Sequence, residues 1–481
     1  VNTVVECLDL KPLYDRYKEG GCPAYHPKMM LKVMIYSFSQ KTYSSRQIAK
    51  SLRENINFMW IAGGNKPDFR TINRFRLDMK DVIEDVFYEV VKLLIEKKYI
   101  KLQNYFLDGT KIEANANKYT FVWNKAVGNY DRKLDEKIKN HLREIDRIVA
   151  EENEIYLEDD LEETGVNSRI TTGQVEGVVK SIDKKLAKNP MDKKLKKKAK
   201  EFKKDILPRK QKYEEAFAIF EGRNSYSKTD HDATFMRMKE DAMLNGQLKP
   251  GYNVQIGTEN RYIVGFTIHP NPTDTKTMIP HLKHLEKRLG RLPENIVADA
   301  GYGSEENYEY LEEKNLGSYV KYNKFHWEKK KKNRENPYLT DNLPYIAETD
   351  RFVCRNGKQL LHIGNRKYVT EAGYETRRDY YRCEDCTGCP YATECKNTDK
   401  NRTIMVSHRL NELKRKANAN LCSKRGHKLR SQRVVEVEQV FGRIKGCWSF
   451  RRFHLRGADK VKIEWGLLAI AHNIAKMALE G

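Results

Sequence analysis

Two short stretches, far apart in the chain, share one unusual pattern. Asn104-Tyr105-Phe106-Leu107-Asp108-Gly109-Thr110 is an apolar, aromatic run of the kind that forms a buried strand, and it stops on an aspartate followed by glycine. The pattern returns as Asn295-Ile296-Val297-Ala298-Asp299-Ala300-Gly301-Tyr302. Two strands ending this way place two carboxylates at the rim of one sheet, the donor type that hard divalent cations require. A single Asp-Gly commonly marks only a turn. The pair gains chemical meaning when a third carboxylate and a surface for a polyanion accompany it.

Such a surface is written into the composition. The 481 residues, enough for two to four domains, carry a formal net charge of +23. An excess of that size points to nucleic acid, since each phosphate contact releases counterions and drives association. No apolar run approaches the ~20 residues of a membrane-spanning helix, and no secretory signal stands at the start. The nine cysteines are irregularly placed, so a reducing cytoplasm fits them better than a secreted disulfide framework.

Residues 1–100 read as a helical, DNA-binding domain. Pro27 opens one helix, Ser44 or Ser45 caps a second, and a third starts near Phe69 after Gly63-Gly64 and Pro67-Asp68. Arg46, Arg70, Arg74 and Arg76 give this group a basic side, as in a helix-turn-helix; an ordinary helical bundle is the plainer reading. The Asp108 strand opens a sheet domain over residues 101–325 plus 430–481. Apolar spacing from Leu134 to Ile148, an acidic loop from Glu151 to Glu163 and a lysine-rich stretch from Lys184 to Lys212 suggest a helical hairpin inserted at 125–215. Two β-rich runs, 251–257 and 261–268, form a hairpin, and Thr273 or Asp274 caps the helix that follows. Then come the Asp299 strand, a helix and a last strand near Tyr319. Three antiparallel strands followed by helix, strand, helix and strand suit a mixed α/β sheet of the ribonuclease H-like type.

Residues 326–429 are first lysine-rich and then cysteine-bearing. Cys383, Cys386, Cys389 and Cys395 have the spacing of a closed structural Zn²⁺ set, with Cys354 as a substitute. Cys7, Cys22, Cys422 and Cys447 lack such spacing and read as packing residues. In the helix from about Ser431 to Ser449, Val434, Val437, Phe441, Ile444 and Trp448 form an apolar stripe. Glu438 and Lys445, seven apart, lie almost one above the other, while Glu436 points toward Arg443; spacing alone does not choose between the two glutamates. Beyond it, arginines interleave with aromatics from Phe450 to Gly457, a strip that suits phosphates and splayed bases as well as a core.

Taken in order, these blocks resemble the DDE transposases of bacterial insertion sequences. The match rests on the Pro27 to Arg76 helices, Leu107-Asp108-Gly109-Thr110-Lys111, Ser227 to Ala233, Gly251-Tyr252-Asn253-Val254-Gln255, Ala298-Asp299-Ala300-Gly301-Tyr302, the Cys383–Cys395 cluster, and Val437 to Lys445 with its Phe453 and Arg456-Gly457 tail. The resemblance implies that Asp108, Asp299 and Glu438 are a catalytic triad holding two Mg²⁺ ions, replaceable by Mn²⁺. It further implies cleavage and strand transfer on double-stranded DNA, meaning the element's terminal inverted repeats and the target. A homodimer on DNA, in the bacterial cytoplasm and associated with the nucleoid, is the expected form. In related groups a tyrosine and an arginine precede the glutamate at fixed distances, and a lysine follows seven later. Lys445 matches; Arg433 stands one place off, and Ser431 holds the tyrosine position. Arg433, Lys445, Arg451, Arg452 and Arg456 are the expected DNA contacts beside the triad. The alternative is a catalytically inactive, domesticated DNA-binding protein that keeps the three carboxylates only as structure.

Overall fold

A computed structural model describes residues 1–17, 25–152, 169–188, 190–238, 247–370 and 373–480. The greater part of the acidic loop and Cys22 lie outside the described residues. The chain divides into two compact units, one of Val1–Ile112, Asn253–His454 and Asp459–Gly481, the other of Glu113–Tyr252 and Leu455–Ala458.

The first unit begins with helices α1 (Pro27–Ser39), α2 (Ser45–Glu54), α3 (Ile56–Ile61), α4 (Phe69–Asp78) and α5 (Ile83–Glu96). Pro27 occupies the first turn of α1, where a missing N–H is harmless. The Asp68 carboxylate caps α4 by accepting from Thr71 N at 2.7 Å. Ser44 is the N-cap of α2, yet its hydroxyl accepts nothing from the helix. A 3-10 turn at Met79–Asp81 separates α4 from α5.

Strand β1 (Asn104–Glu113) is central. In this unit β6 (Tyr262–His269) pairs with β5 (Leu248–Glu259), and across the sheet follow β1, β7 (Asn295–Ala298) and β8 (Gly317–Val320). The β5/β6 pair is antiparallel, while β1/β7 and β7/β8 are parallel. This is a mixed ribonuclease H-like sheet. Its entry is fixed by Glu259, whose buried carboxylate accepts from the backbone N–H groups of Lys101, Leu102, Gln103 and Asn104 at 2.6–3.2 Å. The β5/β6 turn is made by Asn260 and Arg261, both at positive φ (51° and 62°), the two-residue loop whose twist matches the strands. Tyr105 crosses under β5 so closely that a Cβ on Gly257 would lie 1.6 Å from its ring, so only glycine fits there.

Helices α10 (Met278–Leu289) and α11 (Glu305–Glu313) connect β6, β7 and β8. Neither Thr273 nor Asp274 caps α10: Thr277 holds the N-cap position, and the Asp274 side chain is engaged elsewhere. Beyond β8 lies a five-stranded antiparallel sheet of β9 (Tyr345–Ile346), β10 (Arg351–Val353), β11 (Gln359–Val369), β12 (Glu375–Cys383) and β13 (Thr403–Val406), paired in that order. Its faces are largely half-exposed, so the period-2 apolar alternation that announces a strand is missing. Helices α12 (His408–Cys422), α13 (Lys424–Arg433) and α14 (Ala458–Glu480) complete the unit.

In the second unit, α6 (Asn124–Glu152), α7 (Thr172–Lys188), α8 (Lys193–Glu201) and α9 (Leu207–Phe220) form a bundle rather than a simple hairpin. Its core includes Leu134, Ile138, Val175, Ile182, Leu195, Phe202 and Ile206. Lys210, fully buried, donates to Asp131 at 2.7 Å and Asp135 at 2.6 Å. Strand pairs β2/β3 (Phe121–Trp123 with Ser225–Ser227) and β4 (Thr234–Arg237) with the start of β5 lie in the same unit.

Candidate active site

The parallel register sets the geometry. Phe106 stands opposite Val297, so two residues farther along Asp108 comes level with Asp299. Asp299 follows the last residue of β7, but β1 continues to Glu113, so Asp108 is a mid-strand residue and not a terminal one. Each aspartate takes the backbone N–H of a following glycine or near neighbour: Gly109 N donates to Asp108 Oδ1 at 2.8 Å, and Gly301 N to Asp299 Oδ1 at 2.9 Å. Their other oxygens meet at one cation. Arg433 Nη2 lies 3.2 Å from Asp108 Oδ2 and 3.3 Å from Asp299 Oδ2. Arg433 is 9% exposed and its Nε has no hydrogen-bond partner among the described residues.

Arg433, an expected DNA contact, lies against both aspartates. Helix α13 passes into a π turn at Val434–Glu438, and a second π turn spans Gly442–Cys447. A π turn closes i to i+5 and so absorbs one additional residue. Arg433 and Glu438 bracket the first of these turns, Arg433 buried and Glu438 exposed. Among the described residues, no three His, Cys, Asp or Glu side chains stand close enough to hold one metal ion. Asp108 and Asp299 are the convergent pair, and Glu438 is on the adjoining turn. The pair fits a divalent cation in charge and donor type, since it already shares a positive group.

The two glutamates are separated by what they touch. Glu436 does not face Arg443; its carboxylate accepts from Arg261 N at 2.6 Å and thus holds the β5/β6 turn. Burial raises its pKa despite that bond. Lys445, within the second π turn, is buried and turned inward, donating to Lys111 O at 3.0 Å, whereas Glu438 is exposed. Val434 is exposed, so the apolar stripe begins at Val437. Arg443 lies over the Trp448 ring.

Several neighbours were not singled out by the sequence. Asp274 Oδ1 accepts from Asn253 Nδ2 and Gln255 Nε2, both at 2.8 Å, and Tyr302 OH donates to Gln255 Oε1. A Cβ on Gly109 would sit 2.2 Å from Gln255 Nε2 and 2.6 Å from Asp274 Oδ1, so this network presses against the backbone beside Asp108. Burial raises the Tyr302 hydroxyl pKa well above its ordinary value, and Asp274, Asp108 and Asp299 push it further the same way. The available signal was the pair of amides at Asn253 and Gln255, alternate positions on one face of a buried strand. Lys321, just past β8 as Asp299 is just past β7, has its pKa lowered by burial and then by Arg433 and Arg430. Of these cations Arg433 touches both aspartates, Lys321 lies near Asp299, and Arg430 lies near Lys321.

The remaining candidates fall elsewhere. Arg451 Nε donates to Lys445 O at 3.2 Å, and Arg451 and Arg452 are exposed, whereas Phe450 and Phe453 are core residues. Arg456, in the second unit, donates to Asn115 O at 2.7 Å. Arg46, Arg70 and Arg74 are exposed on α2 and α4; Arg76 is buried, donating to Tyr43 O at 3.1 Å and Asn73 Oδ1 at 2.9 Å, and so acts within the helical packing. Of the cysteines, Cys383 is buried beside Cys386, with Cys354 close by; burial first and Cys386 second push its thiol up to about 12. Cys395 Sγ accepts instead from Arg402 Nη1 at 2.9 Å. Among the described residues, no three of the expected zinc ligands stand close enough together to hold one metal ion. Cys7, Cys422 and Cys447 are exposed rather than packed.

Two family models match the chain, one described as a transposase DDE domain over residues 353–478 and one as a transposase domain (DUF772) over residues 1–78. The first takes in Arg433, Glu438 and Lys445, the second helices α1 to α4; neither reaches Asp108 or Asp299. No curated protein and no solved structure gives a significant match. No described helix is long and apolar enough to cross a membrane.

Proposed function

The chain belongs to the DDE transposases of insertion sequences, and on that premise we propose that it cuts the ends of its element and joins them to target DNA, using Asp108, Asp299 and Glu438. The observation that carries this reading is the meeting of Asp108 and Asp299 at one sheet rim, level with each other and sharing Arg433. When bound by these carboxylates, two divalent cations supply Lewis-acid stabilisation of the leaving oxygen and a more acidic attacking water or 3′-hydroxyl. The chain's own residues do the rest. Gly109 and Gly301 N–H groups orient one oxygen of each aspartate, leaving the other oxygens directed at the shared position. Asn253, Gln255 and Tyr302 hold Asp274 beside them. Lys321, Arg430 and Arg433 supply positive charge for the scissile phosphate, and Arg451 and Arg452 are exposed for the flanking backbone. Helices α1 to α4 serve as a DNA-binding domain, residues 101–325 plus 430–481 as the catalytic domain, and the protein acts as a homodimer that holds both ends.

The test is strand cleavage and joining on duplex DNA bearing the element's terminal repeats, with Mg²⁺ or Mn²⁺. Asp108→Asn, Asp299→Asn and Glu438→Gln should each lower the rate by about a thousandfold or more, while binding in EDTA persists. Glu436→Gln should act on folding stability and leave the rate near that of the parent. An inactive DNA-binding protein is the second reading, favoured by the neutralising Arg433; tight binding with no nicking in either metal selects it.

A further inference from the structure

We propose that the cleft between the start of α2 and α4 is a preformed seat for one phosphodiester of duplex DNA. The proposal rests on the DNA-binding part of the reading above and adds a site to it.

Four features meet there. The cleft, about 720 Å³, is lined by Ser44, Ser45, Arg46, Arg70, Asn73 and Arg74 among others, and no aspartate or glutamate lines it. It opens at the N-terminus of α2, a ten-residue helix whose Ser44 N-cap hydroxyl accepts from no helix N–H, so the positive end of the helix is not neutralised by its own cap. Ser45 Oγ, in a residue 9% exposed, is buried without a hydrogen-bond partner, and so is Arg76 Nε. Finally, the half-exposed Phe69 ring has Arg46 over it at 5.2 Å and Arg70 at 5.7 Å, which holds two guanidinium groups at the mouth before any ligand arrives. Of the acids close to these arginines, Asp68, near Arg70, accepts from Thr71 N, and Glu464, near Arg76, accepts from His454 N through Oε2. An uncapped helix start, an orphaned hydroxyl and several arginines in a cleft that no carboxylate lines select a tetrahedral oxyanion. The net charge of +23 makes a nucleic-acid backbone its source.

The test uses the full chain in EDTA, with anisotropy on a random-sequence duplex and on a terminal-repeat duplex over a KCl series. Arg46→Gln with Arg74→Gln should reduce the slope of log affinity against log salt by about two, equally on both duplexes. Ser44→Asp supplies a carboxylate cap that competes for the same N–H groups. It should leave the melting temperature unchanged or higher yet weaken duplex binding about tenfold. Parent-like affinity and slope in both variants would overturn the proposal. So would ³¹P line broadening of inorganic phosphate that Ser44→Asp abolishes while duplex affinity stays intact, since the seat would then serve a small phosphate. Because no divalent metal is present, failure of DNA cutting bears on the catalytic reading alone.

Discussion

Arg433 neutralises two aspartates that otherwise repel each other across one sheet rim. Without it, carboxylates brought level by strand register would be left close together and poorly hydrated. Arg433→Gln should therefore melt about 2–5 °C below the parent in EDTA and gain more from added Mn²⁺ than the parent does. Differential scanning fluorimetry with and without Mn²⁺ measures both; an equal Mn²⁺ gain in the two proteins rules out Arg433 as the counter-cation. At this scale the two aspartates were legible because each ends an apolar run, a pattern visible without knowing the fold. The contact of Arg433 with them was not legible, since they lie 325 and 134 positions away. Asp274 looked like a helix cap, and its actual partners, Asn253 and Gln255, are set by which strand lies beside β1.

Elements follow the same division. The hairpin at Asn260-Arg261 and the strand–helix alternation after it were readable, because both are local signals, whereas the order of strands across the sheet is not. Strand β1 overruns Asp108 because pairing with β5 continues after β7 has ended, and that is a tertiary fact. The β11/β12 hairpin was missed since its exposed residues carry no apolar alternation. Burial of histidines between elements adds a pH dependence. His269 and His472 are each pushed down to about 4 by burial, and His281 well below its ordinary value for the same reason. Their unfolded pKa is near 6.5, so below that pH the unfolded chain binds protons that the folded chain refuses. Stability from these groups is complete above pH ~6.5 and is lost as the pH falls toward ~4. Melting temperature should stay level from pH 8 to 7 and then decline through that window. His472→Asn should make the decline shallower; an unchanged decline would assign the acid sensitivity to other groups.

At the scale of the whole molecule, the two compact units differ in what holds them together. The first has a sheet core and buried strands; the second relies on a helical bundle with an ion pair set among its apolar residues. Lys210 is fully buried, and two aspartates converge on its ammonium. Asp131 has a second cation, Arg169, at 2.6 Å, whereas Asp135 depends mainly on Lys210. Lys210→Met preserves the aliphatic stem but strands a buried carboxylate, a change that costs about 3–5 kcal/mol in comparable settings. Adding Asp131→Asn and Asp135→Asn removes the unpaired charges and should restore most of the loss. Because the altered core belongs to one unit, scanning calorimetry should show one transition moving down in the single variant and returning in the triple, with the other fixed. A single transition that shifts as a whole would mean that the units unfold cooperatively, and the bundle would then contribute to the stability of the catalytic sheet itself.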